Sequence, residues 1–487
     1  MNLITRKRIN LFASLLFLII SCKEVKEEPT KVENISFESK LIPSFQSATS
    51  PIYYSIDDRL DYYNIVGASI VVVKEGIITT QKHYGYGQIG QDSVKISDKT
   101  LFQAGSISKS ITAMAIMKLA ESGILDLDED INTYLKTWQL EKPSFIEDAP
   151  VTIRQFLSHT SGMINNNYRG FPQNETLPSL EEMLKGKPPY KGAILDTVPT
   201  AIHRYSNTGY GVLEKMIEDV TNSSFEDAMK QLVLEPFNMR NSTFETLTSE
   251  DSANVSHAFN ADGGVHKGLW YNPAVKGGGG LWSTAEDLAR FCLKIQDIVQ
   301  GRDDYITSAS MLKMLQPVLS NYGLGFYLKN KEDDLIFFHS GKMKGFTNLM
   351  AGYANTKNAV VILTNSDQGG YFFSEVLRGI SNEYHWDFMQ PKTIETVELS
   401  DELQLAYEGV YSGEYEEEIY TIELKKSGTY LLLIDKDEED KAYALKALSD
   451  TLLIDVNDGE RLAFIKQPSN NYEILWNNLI TFKKVDE

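Results

Sequence analysis

The segment Phe102-Gln-Ala-Gly-Ser-Ile-Ser-Lys-Ser110 opens a run in which Ile107, Ile111, Met114, Ala115, Met117, Leu119 and Ala120 recur at three- and four-residue spacing as far as Gly123. That spacing predicts a largely buried helix stopped by the glycine. Ser106 and Lys109 then share one face at its start. A seryl hydroxyl is a weak nucleophile until a base takes its proton. A lysine can be that base only when neutral, so burial or a cationic neighbour must lower its pKa from about 10.4. The helix N-terminus adds a positive potential near the seryl oxygen. A second Ser-x-x-Lys, Ser310-Met-Leu-Lys313, falls inside an amphipathic stretch without a glycine flank and reads as a solvated helix face.

Two further clusters complement the first. Tyr205-Ser-Asn207 precedes Thr208-Gly-Tyr-Gly and a long helical pattern, which places it on a connecting loop. A tyrosine beside a lysine can share its proton, acting first as base and then as acid. An asparagine amide can orient a substrate amide and hold the lysine. Tyr62-Tyr-Asn64 and Tyr353-Ala-Asn355 have the same form without that context. His339-Ser-Gly341 ends the strand-like run Leu335-Ile-Phe-Phe. Gly341 would leave room for substrate there, and strand N–H groups can serve an oxyanion hole. Taken alone, His339 reads as a satisfied strand histidine.

Around these clusters the pattern is that of a sheet closed by distant segments. Gly67–Lys74 and the run from Ile77 flank a Glu75-Gly76 turn and read as an antiparallel hairpin. Helical patterns follow at Ile153–Leu157, Leu180–Leu184, Gly209–Val220, Phe225–Leu234 and Thr284–Gln300. Strand patterns return at Gly323–Lys329, Leu335–His339, Phe346–Tyr353 and Ala359–Thr364, then a helix over Phe372–Tyr384. Strands near both ends of a helical middle predict an α/β (α+β) domain with an inserted helical subdomain over 51–390. After Pro391 come short β runs at Tyr430–Ile434, Leu452–Val456, Leu462–Ile465, Glu473–Trp476 and Leu479–Phe482, broken by Lys426-Ser-Gly, Asn457-Asp-Gly and Asn477-Asn478. They predict a separate all-β unit over 400–487, a small up-and-down barrel or meander.

The order and context of the three clusters resemble the serine β-lactamase-like superfamily of class C β-lactamases, penicillin-binding DD-peptidases and related esterases. The likeness covers roughly residues 55–385. Supporting stretches include Ser122-Gly-Ile-Leu-Asp-Leu-Asp, Ile153-Arg-Gln-Phe-Leu-Ser-His-Thr-Ser-Gly162 and Gly278-Gly-Gly-Leu-Trp-Ser-Thr-Ala-Glu-Asp. The resemblance implies an antiparallel sheet flanked by helices and a serine acyl-enzyme mechanism without metal or cofactor. Ser106 would be the nucleophile, Lys109 and Tyr205 the base pair, and Asn207 the ligand of substrate and lysine. His339 would stand where the lactamases carry the lysine of their third motif. The N–H groups of Ser106 and Lys342 would form the oxyanion hole. His159 looks structural. A histidine near pKa 6.5 is only partly charged at neutral pH and clamps a carboxylate less reliably than lysine. That favours a peptide with D-residues or a small ester as substrate, with a β-lactam as the alternative. A penicillin-binding sensor with little turnover is the reading from another class. Thr200 and Phe237-Asn-Met stand where relatives carry Gly and Leu-Gly-Met. The tail resembles the lipocalin-like β domains appended to some of these hydrolases.

At the N-terminus, Arg6, Lys7 and Arg8 precede an apolar run from Leu11 to Ile20 that ends at Ser21-Cys22. About ten apolar residues are too few to span a bilayer, so the run reads as a signal-peptide core. Its end resembles a lipoprotein box, which implies a lipid anchor on Cys22, a location on the bacterial cell envelope, a signal peptide over 1–21 and a tether over 22–50. Cys292 is the only other cysteine, and would then be unpaired. Among 487 residues, 42% are hydrophobic and 23% charged, a globular balance. The formal charge of −20 disfavours non-specific nucleic-acid binding. Residues 401–487 carry 9 basic and 20 acidic side chains, so much of that charge belongs to the tail. Nothing in the sequence specifies an oligomeric state.

Overall fold

The computed structural model describes residues 36–485, apart from 147–148, 169, 332–333, 417, 437–440 and 470. The signal peptide, Cys22 and the first part of the expected tether lie outside these residues.

Two β-branched runs begin the main domain. Strand β1 (Phe45–Ser47) and helix α1 (Ile56–Tyr62) precede β2 (Gly67–Lys74), β3 (Ile77–Gln88) and β4 (Val94–Lys95). The hairpin turns at Glu75-Gly76, both with positive φ. Two-residue strands β5 (Phe102–Gln103) and β8 (Trp282–Ser283) pair together, as do β6 (Phe171–Pro172) and β7 (Tyr271–Asn272). Late in the domain come β9 (Tyr327–Asn330), β10 (Leu335–Met343), β11 (Phe346–Tyr353) and β12 (Ala359–Thr364). The seven-stranded sheet runs β4-β3-β2-β12-β11-β10-β9, with every neighbour antiparallel.

Period-two alternation divides the sheet's side chains between two cores. Val71, Val73, Met350, Val361 and Leu363 face the larger one. It is built with the helical lobe: α2 (Ser108–Glu121), α3 (Ile153–Leu157), α4 (Leu180–Lys185), α5 (Asn207–Thr221), α6 (Phe225–Met229), α7 (Ala285–Val299) and α8 (Ser308–Met314). Cys292 is a free, buried thiol within it. Ile70, Val72, Leu349, Ala351 and Ile362 face the other core, closed by α1 and α9 (Gly369–Glu383). The fold is thus an antiparallel sheet between helical layers, with a helical lobe inserted between β4 and β9.

The strand expected from Gly323 begins only at Tyr327. Gly325 has φ +85 and its oxygen accepts a hydrogen bond from Ser110 Oγ at 2.7 Å. A Cβ there would lie 2.5 Å from that of Ala113, so the chain bends to pack on α2 before it can extend.

Residues 36–50 do not behave as a tether. Phe37 and Leu41 are fully buried beside α9, and β1 pairs in parallel with β13 (Lys392–Ile394). Apolar side chains in an otherwise polar stretch carry this docking. The tail is a closed eight-stranded barrel entered through α10 (Asp401–Tyr407). Its strands are β14 (Gly409–Tyr415), β15 (Glu418–Ser427), β16 (Tyr430–Asp435), β17 (Ala442–Ser449), β18 (Leu452–Asp455), β19 (Arg461–Lys466), β20 (Tyr472–Trp476) and β21 (Ile480–Lys484). They meander in sequence order, and β21 closes on β14.

Between barrel and main domain lies a buried polar joint. Arg59, on α1, makes a bidentate pair with Glu375 on α9, at 2.7 Å and 2.6 Å. Both residues are under 4% exposed. Asn457 Oδ1, from the barrel, accepts from Arg59 at 3.3 Å and from the Tyr54 hydroxyl at 3.2 Å.

Candidate active site

Ser106 sits in a 3-10 turn, Gly105–Ile107, that runs directly into α2. The turn is fixed from several sides. Ser108 Oγ donates to Gly105 O at 2.6 Å and accepts from Leu281 N at 3.0 Å. Asn348 Nδ2, on β11, donates to Gln103 O at 2.7 Å.

Strand β10 presses against this turn more closely than any side chain would allow. A Cβ on Gly341 would lie 1.8 Å from Ala104 O, and one on Gly105 would lie 2.7 Å from Lys342 N. Gly341 therefore makes room for protein backbone, where the sequence pattern suggests room for substrate. This contact brings the backbones of Ser106 and Lys342 to one cleft of about 60 Å³, which Asn207, Tyr168, Gly278 and Met343 also line.

One helical turn along α2, Lys109 is fully buried beneath the nucleophile. Its Nζ lies 3.1 Å from Ser106 Oγ, 2.7 Å from Asn207 Oδ1 and 2.6 Å from Gly278 O. Two of these partners are carbonyl oxygens and can only accept. A neutral amine satisfies both with its two protons and turns its lone pair to the seryl hydroxyl. Burial lowers the Lys109 pKa well below its ordinary value, which favours that neutral form.

Tyr205 approaches from the loop before α5, with its ring centroid 4.8 Å from Lys109 Nζ and its hydroxyl near Ser106. Burial raises its pKa, so it rests as the neutral phenol. Ser206 caps α5, accepting from Gly209 N at 3.0 Å and donating to Ile164 O at 2.7 Å. These bonds fix the loop. The ring of His159 packs 4.3 Å from that of Tyr205, and its Nδ1 accepts from Ser206 N at 3.1 Å. His159 thus supports the tyrosine without reaching the nucleophile, in line with the structural reading of its motif.

His339 is placed differently from expectation. It is 1% exposed and does not line the cleft. Its Nδ1 lies 2.6 Å from Ser340 O and its Nε2 3.2 Å from the Tyr322 hydroxyl, so Nδ1 carries the proton and Nε2 accepts. Burial pushes its pKa down to about 3. It is neutral at physiological pH, not partly charged, and acts as a wall behind Tyr205.

The Gly278 carbonyl and Glu214 escape sequence reading. Glu214 Oε2 accepts from Gly277 N at 2.7 Å and so fixes the loop that presents Gly278 O to Lys109. Burial raises the Glu214 carboxyl to about 8. A backbone acceptor leaves no side-chain signature. The glycine run 277–280 was its only trace.

Ser310 and Lys313 lie on α8, remote from this cleft, on a groove that Glu121 and Asp128 share.

A family model described as Beta-lactamase matches residues 55–378. The chain belongs to the beta-lactamase family. Among curated members, Protein flp of Staphylococcus aureus is 26% identical over 326 residues, 64% of this chain and 61% of its own length. The chain therefore spans about three fifths of those relatives. Penicillin-binding protein 4* of Bacillus subtilis is 25% identical, over 66% of this chain and 72% of its own. Solved structures share the beta-lactamase fold. The octameric penicillin-binding protein homologue from Pyrococcus abyssi gives a TM-score of 0.60 at 23% identity, covering 88% of this chain and 98% of its own. The D-amino acid amidase from Ochrobactrum anthropi SV3 gives 0.55 at 20% identity, covering 68% and 97%.

Both departures from the family pattern fall where the backbone is left-handed. Thr200 has φ +66 and Asn238 φ +55. Asparagine tolerates that region, whereas a β-branched residue is strained in it. The loops keep a glycine-like shape without glycine.

Proposed function

We propose that this protein is a serine hydrolase that cleaves an amide or ester through an acyl-enzyme on Ser106. The observation that carries the reading is the buried Lys109 amine, 3.1 Å from the seryl oxygen, with its other two directions taken by carbonyl acceptors.

In this scheme Ser106 Oγ attacks the substrate carbonyl while its proton passes to Lys109 Nζ. The tetrahedral oxyanion is received by the N–H groups of Ser106 and Lys342. Tyr205, a neutral phenol, gives its proton to the leaving group and is reprotonated from Lys109. Asn207 presents its amide to the substrate while its carbonyl holds the lysine. Water then repeats the sequence on the acyl ester.

The favoured substrate is a D-amino-acid-containing peptide or a small ester. Within that class the neutral, buried His339 supports an ester or an amide without a free carboxylate beside the scissile bond, because it offers no charge to hold one. The likeness to a D-amino acid amidase is one of fold and is consistent with that class.

Active-site labelling tests the nucleophile. A fluorophosphonate and a fluorescent penicillin are expected to label the wild type and not Ser106→Ala. Undiminished labelling of Ser106→Ala, with loss in Ser310→Ala, would overturn the assignment. Hydrolysis of p-nitrophenyl esters, D-Ala-D-Ala peptides and a chromogenic cephalosporin then separates the substrate classes. A stoichiometric burst without turnover on all three would favour a sensor. We also propose that the mature chain is held on the bacterial envelope by a lipid on Cys22. Cys22→Ser is expected to release it from membranes, and persistent membrane association would refute the anchor.

A further inference from the structure

Among the described residues, the barrel is filled at one end and open at the other. Alternate residues of each strand point inward. At the filled end Tyr407, from α10, stacks on Phe464 at 3.9 Å and meets Tyr472 edge-on at 4.7 Å. Leu424, Leu431, Leu445 and Leu453 complete that plug.

At the other end the inward positions change character. Tyr420, Tyr443 and Trp476 supply the walls, and Asp435, Asp458 and Glu460 supply the rim. They surround a cavity of about 420 Å³, floored by the buried Ile422 and Phe482. That volume lies within the range of small-ligand sites. No lysine or arginine is among the described residues that line it. Lys441 lines the adjoining cleft against Tyr62 and Tyr371.

The rim is set by its own hydrogen bonds. Trp476 Nε1 donates to Glu460 Oε2 at 2.6 Å, which ties the indole to the rim. Asp458 Oδ1 accepts from Glu460 N at 2.9 Å. Burial, and Asp458 beside it, raise the pKa of Glu460, and no cationic side chain is among the described residues that line the cavity. Aromatic faces and carboxylates together attract a cation more strongly than either does alone, and a dry aromatic wall also accepts an apolar body.

We propose that the open end of the barrel is a binding site for a small organic cation, an ammonium group carried on an apolar chain. The ammonium sits between the Asp458–Glu460 rim and the faces of Trp476 and Tyr443, and the apolar chain reaches down to Ile422 and Phe482. This site is separate from the Ser106 cleft and does not depend on the hydrolase reading.

Calorimetric titration of the full chain tests it, with hexyltrimethylammonium as the probe and 1-hexanol and hexanoate as its neutral and anionic counterparts. The cation is expected to bind with a stoichiometry near one and at least tenfold more tightly than hexanol, and hexanoate is expected not to bind. Asp458→Asn with Glu460→Gln keeps the rim's acceptors while removing its charge. It should weaken the cation at least tenfold and leave hexanol unchanged. Trp476→Leu should weaken both. Fluorophosphonate labelling of Ser106 should be unaffected in each variant, which reports that the main domain is folded, and the far-ultraviolet circular dichroism of each variant should match the wild type, which reports the same of the barrel. Equal affinity for cation and hexanol, unchanged cation affinity in the charge-neutral rim, or no saturable binding would each overturn the proposal.

Discussion

In the proposed mechanism Lys109 is the residue on which the chemistry turns, and its protonation would set the pH behaviour. The base must be neutral, so kcat/KM should rise with pH as the amine loses its proton, along a limb lying well below 10.5. Lys109→Met is expected to lower kcat/KM by about 10³-fold and to abolish that limb, and Tyr205→Phe to lower it by about 10²-fold. Steady-state profiles from pH 5 to 10 check both. Retention of the limb in Lys109→Met would assign it to another group. His339 provides the contrast. Already neutral above about pH 3, it should contribute no limb, so His339→Gln should leave the shape of the profile between pH 5 and 9 unchanged.

Glu214 carries the opposite sign, and its effect is on stability. Its carboxyl stands near 8 when folded and near 4.5 when unfolded. Between those values the folded state holds one proton more, so stability falls as pH rises through that window. Glu214→Gln mimics the protonated acid. It should remove part of the decline in Tm between pH 5 and 8 measured by scanning calorimetry. An identical decline in the variant would exclude Glu214 as its source.

These residues were unequally legible in the sequence. Ser106, Lys109, Tyr205 and Asn207 announce themselves because each works through its side chain at a fixed spacing, and the structure brings all four together. His339 lies on the strand its motif suggested but buried away from the cleft, since strand alternation gives which face a side chain takes but not how deeply that face is buried. Gly278 O belongs to the backbone, and only close approach, which a string of letters does not encode, reveals it. The Lys342 N–H, also backbone, was reachable only through the family resemblance.

At the scale of elements, the contact between β10 and the nucleophile turn is the most demanding in the molecule. Gly341→Ala would drive a methyl group into Ala104 O, and the strand could survive only by moving away. Activity should fall by at least about 10²-fold through misplacement of the reacting groups. Gly90→Ala, where a Cβ meets nothing within 4 Å, should cost little. Parallel kcat/KM and Tm measurements on the two variants check this. Full activity of Gly341→Ala would show that the apposition is not needed. Thr200 offers a gain instead. Threonine held at φ +66 is strained by about 1–2 kcal/mol, so Thr200→Gly should not lower Tm despite the added freedom of the unfolded chain. The helices and the central strands were legible because a 3.6 or 2.0 period survives wherever one face is buried. The barrel was legible only in part. Strands β14, β15 and β17 went unseen because charged residues such as Glu414, Glu423, Lys425 and Lys446 alternate with their apolar ones, so no continuous apolar run marks them.

At the scale of the whole molecule, two domains meet across the Arg59–Glu375 pair and Asn457. Removing one partner strands a buried charge. Arg59→Met should destabilise by about 3–5 kcal/mol. Restoring neutrality with Arg59→Met and Glu375→Leu together should recover most of that loss in chemical denaturation. If the single variant is as stable as the wild type, the joint is not a source of stability.

The strand order has a consequence for how the chain comes to exist at all. The hairpin β2–β3 emerges early, yet its partner β12 is among the last parts of the main domain to be made, with Val71 awaiting Val361. At the usual pace of synthesis that interval is on the order of tens of seconds. During it one long edge of apolar strand has nothing to pair with. β1 must wait longer still, for residues 392–394, and the barrel cannot close until Lys484 is in place. Only a chain that reaches Lys484 can close the barrel, and until then these edges stay unpaired.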